Sequence, residues 1–355
     1  MKPFVYNAQA ARVIFGSGTL ARLPEEVERL GLTRVLVLAT PQQVAQAEEI
    51  ARQLEARAAG IHAGAVMHTP VDVTEAALKV VEGLKADGLV AVGGGSTTGL
   101  AKAIALRTDL PQIVAPSTYA GSEMTPILGE TRNGVKTTLK SPKVLPEVVI
   151  YDVDLTMTLP VGLSGVSGMN AIAHAMEALY AQDANPIISL IAQEGIQALA
   201  QALPIIADSP HDREARTGAL YGAWLCGLCL GSVGMALHHK LCHTMGGLFD
   251  LPHAETHTII LPHAAAYNAP SVPGAMAIVA HALGAHDAAT GLYDLAARIG
   301  APRGLKSLGM PSDGIDRATD LALANPYWNP RPLEREAIRD LIEHAYQGDR
   351  PAFTP

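Results

Sequence analysis

Six histidines lie within one short stretch of the chain, residues 234–263. They are His238, His239, His243, His253, His257 and His263. Imidazole is the side chain best suited to proton transfer near neutral pH, and it is also a common metal ligand. His239 and His243 are four residues apart, so on a helix both rings project from one face. His238 lies about 100° further round the same helix and is predicted to point elsewhere.

The segment after His243 is predicted to turn back on itself. We expect the Gly246-Gly247 pair to end the first helix and Pro252 to begin a second one. His253 would then stand at the start of the second helix. This return path brings His253 towards His239.

A second pair of polar side chains has the same four-residue spacing further upstream. Asn170 and His174 lie in a strongly helical segment, GMNAIAHAMEALY. Paired polar side chains on three helices are difficult to explain as packing, because each buried imidazole needs a hydrogen-bonding partner. We therefore predict one functional site, to which five side chains contribute. They are Asn170, His174, His239, His243 and His253.

A glycine run marks a second place where a ligand could bind. The short strand Leu89–Val92 leads directly into Gly93–Ser96, and a helix is predicted over Thr97–Leu106. Glycines at such a turn allow close approach of the backbone, and the start of a helix offers N–H groups to a pyrophosphate. A polar turn, Pro116–Glu123, follows the next strand. Two such turns at neighbouring strand ends predict a dinucleotide site.

The first part of the chain alternates strand and helix patterns, which favours a parallel sheet covered by helices. Its predicted strands are Arg34–Ala39, Gly60–Met67, Leu89–Val92, Gln112–Ala115 and Val148–Asp152, and its other predicted helices are Pro41–Ala58 and Thr74–Ala86, with Thr74 as N-cap. Beyond Asp154 only helical patterns remain, beginning with Ser164–Ala181, Ile187–Ile206, Glu214–Met235 and Lys240–Met245. We predict an α/β dinucleotide-binding domain over residues 1–156 and an all-helical catalytic domain over residues 157–355, with the active site in the cleft between them.

Composition excludes several classes of function. A net charge of −8 argues against a nucleic-acid partner, since phosphate binding needs clustered Lys and Arg. We expect neither a membrane-spanning helix nor a signal peptide, and therefore a cytoplasmic protein. Cys226 and Cys229 form a C-x-x-C pair, but the small apolar residues around them indicate a packed helix.

Taken together, these motifs resemble the iron-containing (group III) alcohol dehydrogenase family over nearly the whole chain. The resemblance rests on Gly93–Ser96 with Ala101-Lys102, Gly121-Ser122-Glu123, Gly168-x-Asn170-x-x-x-His174-x-x-Glu177, His239-x-x-x-His243, Pro252-His253 and Asn325-Pro326. In that family an aspartate and three histidines hold the metal. The matching positions here are Asn170, His174, His239 and His253, and His243 matches a further histidine beside the nicotinamide and the substrate.

Three departures from the family pattern indicate one particular branch. Asn170 replaces the aspartate ligand, Ala254 stands where glycine is usual, and Gly99 replaces a common aspartate. These features are similar to the branch that reduces the carbon–carbon double bond of maleylacetate to 3-oxoadipate in bacterial degradation of aromatic and chloroaromatic compounds. The resemblance implies a small anionic dicarboxylate substrate, no essential metal and a homodimer. Within the cluster we expect His243 and His253 to participate most closely.

The cofactor expected from these turns is NADH or NADPH. The turns and the resemblance together place it across one set of side chains and backbone, namely Gly94, Gly95, Ser96, Ser117, Thr118 and Thr125, with Lys140 nearby. After the first predicted strand the chain reads Ala39-Thr40-Pro41. Strict NAD users of the family often carry an aspartate there, so Thr40 predicts that NADPH is also accepted.

Three other interpretations fit parts of the sequence. A metal-dependent alcohol, lactaldehyde or glycerol dehydrogenase would use the same cofactor with a bound metal. A lyase of the dehydroquinate synthase type shares the two-domain plan and uses NAD without net consumption. A non-enzymatic metal-binding protein would explain the histidines but not the glycine turns.

Overall fold

The computed structural model describes residues 4–8, 11–132, 135–325 and 327–352. The chain forms two compact units, and the division lies between Leu159 and Pro160. The first unit begins at Ala8, and the second also includes residues 4–7.

The first unit contains a six-stranded parallel sheet in the order β1-β8-β5-β4-β2-β3 and a separate hairpin, β6-β7. The strands are β1 Arg12–Gly16, β2 Val35–Leu38, β3 Ala58–His62, β4 Gly88–Gly93, β5 Gln112–Pro116, β6 Ile127–Arg132, β7 Val135–Lys140 and β8 Val148–Asp152. Its helices are α1 Leu23–Arg29, α2 Val44–Leu54, α3 Val71–Leu84 and α4 Gly95–Thr108. The predicted α/β fold of this part is confirmed.

Apolar residues cover both faces of the sheet because successive side chains of a strand point to opposite faces. Along β2, Val35 and Val37 pack with α1 and α2, while Leu36 and Leu38 pack with α3 and α4. Strands buried on both faces are typical of parallel sheets. This burial on both faces explains the near-continuous apolar runs in the sequences of these strands.

Several predicted boundaries in this unit are wrong. The helix predicted over Pro41–Ala58 ends at Leu54, because Glu55 adopts a positive φ of 52°. The strand predicted over Gly60–Met67 runs instead from Ala58 to His62, since its partner β2 has only four residues to pair with.

The start of α3 was also predicted too late, and two elements were not predicted. The helix begins at Val71 after Pro70, so Thr74 lies one turn inside it and is not the N-cap. Strand β1 and the β6-β7 hairpin have no counterpart in the predicted pattern. In β6 the buried side chains do alternate, but they are Leu128 and the charged Glu130, so the sequence ILGETR shows no apolar alternation.

The strand order creates a place for a ligand. From β2 the chain moves outward to β3, then returns past β2 to form β4 on its other side. In open α/β sheets, ligands bind beyond the carboxyl ends of the strands at such a switch point. Here those ends carry Ala39-Thr40 and Gly93-Gly94.

The second unit is all-helical, and this prediction is confirmed. Its helices are α5 Val161–Leu179, α6 Pro186–Asp208, α7 Arg213–Ser232, α8 Leu237–Phe249, α9 His253–Asn268, α10 Pro273–Leu283, α11 Ala288–Arg298, α12 Gly314–Leu323 and α13 Arg335–Gln347. Helix α9 begins at His253 after Pro252, as the sequence indicates. The predicted break at Gly246-Gly247 is wrong, because α8 continues to Phe249 and ends only where Asp250 adopts a left-handed φ of 52°.

Packing of the flanking residues explains why α8 continues through two glycines. Leu241 and Met245 are buried in an apolar core, and Leu248 and Phe249 pack against it. Each glycine costs about 1 kcal/mol in a helix interior. Burial of a large apolar side chain contributes about 1.5–3 kcal/mol, which is enough to offset that cost.

Helix α6 is long and apolar enough to cross a membrane by length and composition alone. Core helices of soluble proteins pass the same test. In this unit α6 packs closely against α7, and the contact runs through two glycines. A Cβ atom on Gly222 would lie 2.9 Å from the carbonyl oxygen of Gly195.

This contact predicts different effects for two glycines one turn apart on α7. Gly222→Ala should lower the free energy of unfolding by about 1–3 kcal/mol, because the new methyl group meets backbone that cannot easily move. Gly218→Ala places its Cβ 3.6 Å from Ala202, which is an ordinary contact. This control should be neutral or stabilise by up to about 1 kcal/mol through helix propensity. Urea unfolding of both variants measures the difference, and equal midpoints would contradict close packing at Gly222.

Candidate functional site

The predicted convergence of histidines occurs within the helical unit. The ring centroids of His174 and His239 are 5.1 Å apart, and His243 lies 6.2 Å from both His239 and His253. Helix α5 supplies Asn170 and His174, α8 supplies His239 and His243, and α9 supplies His253. The four-residue spacings therefore place these rings on adjoining helix faces.

Two further histidines belong to the cluster. The ring of His257 lies 4.1 Å from that of His253 and 5.0 Å from that of His239. The prediction that His238 points elsewhere is wrong, because its ring lies 5.0 Å from His239 and 4.9 Å from His257. His257 stands four residues after His253, so the spacing that identified the other pairs also identifies this one. The return of α9 across α8 brings a partner to His238, which helix geometry within α8 alone cannot reveal.

The cluster has a buried part and an exposed part. His174, His239 and His257 are buried, whereas His253 is half-buried and His243 is exposed. Several buried polar atoms have no hydrogen-bond partner among the described residues. They are Asn170 Oδ1, His174 Nδ1, His239 Nε2 and both ring nitrogens of His257. Buried polar atoms without partners are costly, so this arrangement indicates a site that receives a polar ligand.

Burial also determines the charge of these rings. It lowers the pKa of His239 to about 3 and of His238 to about 4, because desolvation disfavours the charged form and neighbouring histidines oppose a second charge. Desolvation lowers the pKa of His174 and His257 as well. The buried rings are therefore neutral at pH 7.

The donor set does not suit the divalent metal of the family resemblance. Asn170 offers a neutral amide oxygen where a carboxylate would supply a negative charge. The carboxylate of Glu177 on α5 already accepts bonds from the backbone N–H groups of Ala236 and His238 and from His239 Nδ1. A divalent ion held by imidazoles and an amide would keep its whole charge in a desolvated place, which is unfavourable.

In the first unit, the glycine turn lies at the switch point of the sheet. Gly93 adopts a φ of 146°, and a Cβ there would lie 2.6 Å from Gln43 Oε1. Gly94 is the N-cap of α4, and a Cβ on it would lie 2.9 Å from Thr118. Gly95 is exposed at the first position of α4. The exposed start of α4 thus offers its first N–H groups to an anion such as a pyrophosphate.

Polar side chains surround this turn. Gln43 Nε2 donates to Ser117 Oγ at 3.3 Å, and Thr40 Oγ1 donates to Gln43 Oε1 at 3.1 Å. Thr40, Ser117 and Thr118 therefore lie beside the glycine turn, as the sequence predicts for cofactor contacts. Gln43 was not predicted, because only the packing of the β2 end against the β4 end brings it there.

The other predicted cofactor residues lie in less direct positions. Thr125 is buried, and its hydroxyl accepts from Lys102 Nζ at 2.9 Å and donates to Ser122 O at 3.0 Å. Ser96 lies in the first turn of α4, and Lys140 is exposed at the end of β7. Contact of Thr125 and Lys140 with a cofactor remains a prediction.

Lys102 connects α4 to the polar turn. Its Nζ lies within hydrogen-bonding distance of four oxygens, the backbone carbonyls of Ser122, Thr125 and Ile127 and Thr125 Oγ1, among which its N–H groups are shared. Burial lowers the pKa of Lys102 to about 7. These four acceptors fix the 122–127 segment against the helix that begins at the glycine turn.

The Pro/Asn-rich segment near the C-terminus, residues 325–332, carries Tyr327, Trp328 and Arg331. Pro326 lies outside the described residues. In the helical unit, Arg331 stacks over the ring of Tyr267 at 4.6 Å and donates to the Tyr267 carbonyl at 3.0 Å. The hydroxyl of Tyr327 is buried without a hydrogen-bond partner in the described part of the chain. Trp328 is half-buried.

Neutral buried histidines predict a loss of stability in mild acid. An unfolded histidine binds a proton below about pH 6.5, whereas folded His238 and His263 do so only near pH 4. Their contribution is therefore complete above pH 6.5 and is lost as the pH falls towards 4. Each such histidine should add about 1.4 kcal/mol per pH unit to the slope. We expect the urea midpoint to fall steadily from pH 7 to pH 5.

Two variants make this prediction specific. His263→Gln should reduce the slope by about one proton, since His263 is buried. His286→Gln changes a fully exposed ring and should leave the slope unchanged. A urea midpoint that is constant between pH 7 and pH 5 would contradict the prediction that these histidines are buried in their neutral form.

Comparison with known proteins identifies the family. Residues 10–153 match the iron-containing alcohol dehydrogenase family, and residues 165–346 match the C-terminal part of the Fe-containing alcohol dehydrogenase family. The maleylacetate reductase of Rhizobium sp. (strain MTP-10005) is 58% identical over 351 residues, covering 99% of this chain and 100% of that protein. The maleylacetate reductase of Burkholderia cepacia is 55% identical over 352 residues, again covering 99% and 100%. A crystal structure of maleylacetate reductase from Agrobacterium tumefaciens has a TM-score of 0.96 and 57% identity, and covers 99% of this chain and 100% of that one.

These matches extend over both units. They identify the same family that the motifs of the sequence resemble. The chain belongs to the iron-containing alcohol dehydrogenase family.

Proposed function

We propose that this chain is an oxidoreductase that uses NADH or NADPH to reduce the carbon–carbon double bond of maleylacetate, giving 3-oxoadipate. The observation that carries this proposal is full-length identity of 58% to a maleylacetate reductase. The site agrees with it, because a cluster of imidazoles with Asn170 in place of a carboxylate suits a reaction that needs no metal.

The reaction places demands on the protein that the cluster can meet. When bound, the nicotinamide supplies a hydride to the alkene. Negative charge then develops on the conjugated ketone oxygen as an enolate, and stabilisation of such charge is usually a large catalytic contribution. Neutral imidazoles such as His174 and His257 can donate N–H bonds to that oxygen. His243 and His253, which lie towards solvent, are placed to exchange protons with water and to deliver one to the substrate.

The proposal includes the cofactor contacts predicted from the turns. Gly94, Gly95 and Ser96 hold the pyrophosphate at the start of α4, and Ser117 and Thr118 lie on the ribose side. The exposed N–H groups at the start of α4 would stabilise the negative charge of the pyrophosphate. The proposal further includes a homodimer in the cytoplasm, with neither a nucleic-acid nor a membrane partner.

One observation favours a second candidate, a metal-dependent alcohol dehydrogenase. Asn170 Oδ1, His174 Nδ1 and His239 Nε2 are buried without partners among the described residues, at positions that match the family's metal ligands. Atoms of this kind can form a hydrogen bond with a ligand or bind a metal. The neutral amide makes the first of these the better explanation.

Removal of metal separates the two candidates. We expect the purified enzyme to oxidise NADH with maleylacetate at an unchanged rate after treatment with a chelator, and to carry well under one metal ion per chain. The measurements are absorbance of NADH at steady state and elemental analysis. One tightly held ion per chain, with activity that disappears on its removal and returns on its addition, would favour the alcohol dehydrogenase.

Asn170→Asp supplies the matched comparison. It restores the family's anionic ligand without changing side-chain size, so affinity for iron or zinc should rise. Reduction of maleylacetate should fall once metal is added, because the histidines become ligands. If this variant binds zinc no better than the parent, the charge argument for metal independence fails.

Cofactor selectivity follows from the end of β2. Thr40 occupies the place where a carboxylate would repel the 2′-phosphate of NADPH, and its hydroxyl is bonded to Gln43. We therefore expect kcat/KM with NADPH to lie within about tenfold of that with NADH, or about 1.4 kcal/mol of discrimination. Thr40→Asp should shift the preference strongly to NADH. A several-hundredfold preference for NADH in the parent would contradict this expectation.

A further inference from the structure

Glu177 is a fully buried carboxylate that joins α5 to the first turn of α8. Its Oε1 accepts the backbone N–H of His238 at 2.8 Å, and its Oε2 accepts that of Ala236 at 2.9 Å. Ala236 is the N-cap of α8 and has no polar side chain of its own. Glu177 thus provides the capping acceptor and places a negative group at the positive end of the α8 dipole.

The same carboxylate contacts the ring of His239. Glu177 Oε2 lies 2.7 Å from His239 Nδ1. Burial raises the pKa of Glu177, but both of its oxygens accept backbone N–H groups, which favours the ionised form. An ionised carboxylate can only accept, so the hydrogen of this short contact is assigned to His239 Nδ1.

A second contact, independent of Glu177, also places the ring hydrogen of His239 on Nδ1. His238 Nε2 lies 3.0 Å from the backbone carbonyl of His257, which can only accept. His238 therefore carries its hydrogen on Nε2 and presents a lone pair at Nδ1, 3.4 Å from His239 Nδ1. Two acceptors, Glu177 Oε2 and His238 Nδ1, converge on one nitrogen of His239. A lone pair at that nitrogen would be repelled by both.

The consequence lies at the other nitrogen of the ring. With its hydrogen on Nδ1, neutral His239 has a lone pair at Nε2, which is buried and without a partner among the described residues. The rings of His174 and His257 lie 5.1 and 5.0 Å from that of His239. An acceptor in this place orients the N–H of a neighbouring imidazole, or the O–H of a ligand, within the cluster.

We propose that Glu177 is a positioning residue that fixes His239 as the Nδ1–H tautomer, so that Nε2 serves the cluster as a hydrogen-bond acceptor. The role in catalysis rests on the function proposed above. The tautomer itself does not, because it follows from contacts within the helical unit.

Nitrogen NMR of ¹⁵N-histidine-labelled protein tests the tautomer directly. The chain has 13 histidines, and the His239 pattern is assigned as the one that disappears in His239→Gln. In the parent, with chelator present, two-bond ¹H–¹⁵N correlations should show His239 protonated at Nδ1 and unprotonated at Nε2. An Nε2–H pattern in the parent overturns the proposal, whatever happens to any variant.

Glu177→Gln then tests whether the carboxylate is the cause. A glutamine has one acceptor oxygen, so it cannot accept from both backbone N–H groups and still hold the Nδ1–H of His239. We expect the His239 pattern to change to the other tautomer or to a mixture, and kcat with maleylacetate to fall at least tenfold, with the affinity for NADH changed by less than twofold. An unchanged His239 pattern, or kcat within twofold of the parent, overturns the proposal.

Glu26→Gln is the matched control. Glu26 is also a fully buried carboxylate, and it bridges Arg12 and Arg29 in the first unit. This variant should lose stability without changing either the His239 pattern or kcat. If Glu177→Gln does not fold, the spectrum of the parent still decides the tautomer. If the parent shows Nδ1–H but does not reduce maleylacetate, the proposed function fails and the assignment of the tautomer stands.

Discussion

The arrangement of the histidines depends on one buried carboxylate at the start of α8. Helix α8 has no polar residue at its own N-cap, so its first N–H groups would be costly to bury without an external acceptor. Glu177 supplies that acceptor from α5 and thereby sets the position of α8 relative to α5. The rings of His174 and His239 meet because this contact brings their helices together.

A comparable internal contact organises the first unit. Lys102 on α4 holds the 122–127 segment through four oxygen acceptors, and the glycine turn stands at the start of the same helix. Each unit thus uses one buried ionisable side chain to fix backbone, beside the glycine turn in the first unit and beside the histidine cluster in the second. Since such groups cannot move without exposing unsatisfied partners, they limit the freedom of the turns they hold.

The sequence predicted those features that depend on local spacing. The passage from β4 through Gly93–Ser96 into α4 follows from glycines between a strand and a helix, and the pairs Asn170/His174 and His239/His243 follow from helical periodicity. Predictions from the sequence failed where contacts between distant residues determine the structure. Leu248 and Phe249 carry α8 beyond two glycines because their burial outweighs the helix propensity of glycine. Gln43 and His238 meet their partners only through strand order and helix crossing, which a local pattern does not contain.

Burial gives the cluster a property that suits the proposed reaction. Before hydride transfer the buried rings are neutral, because desolvation and their mutual repulsion hold their pKa values low. The low dielectric that penalises a lone positive charge also strengthens its attraction to a nearby negative one. An enolate that forms beside the rings therefore raises their affinity for a proton at the moment when charge must be neutralised. In the proposed reaction the neutral imidazoles respond mainly to the charge that the reaction creates, so they stabilise the transition state more than the bound ketone. Asn170 fits the proposed reaction, because a neutral amide does not supply the negative charge that a bound divalent metal needs.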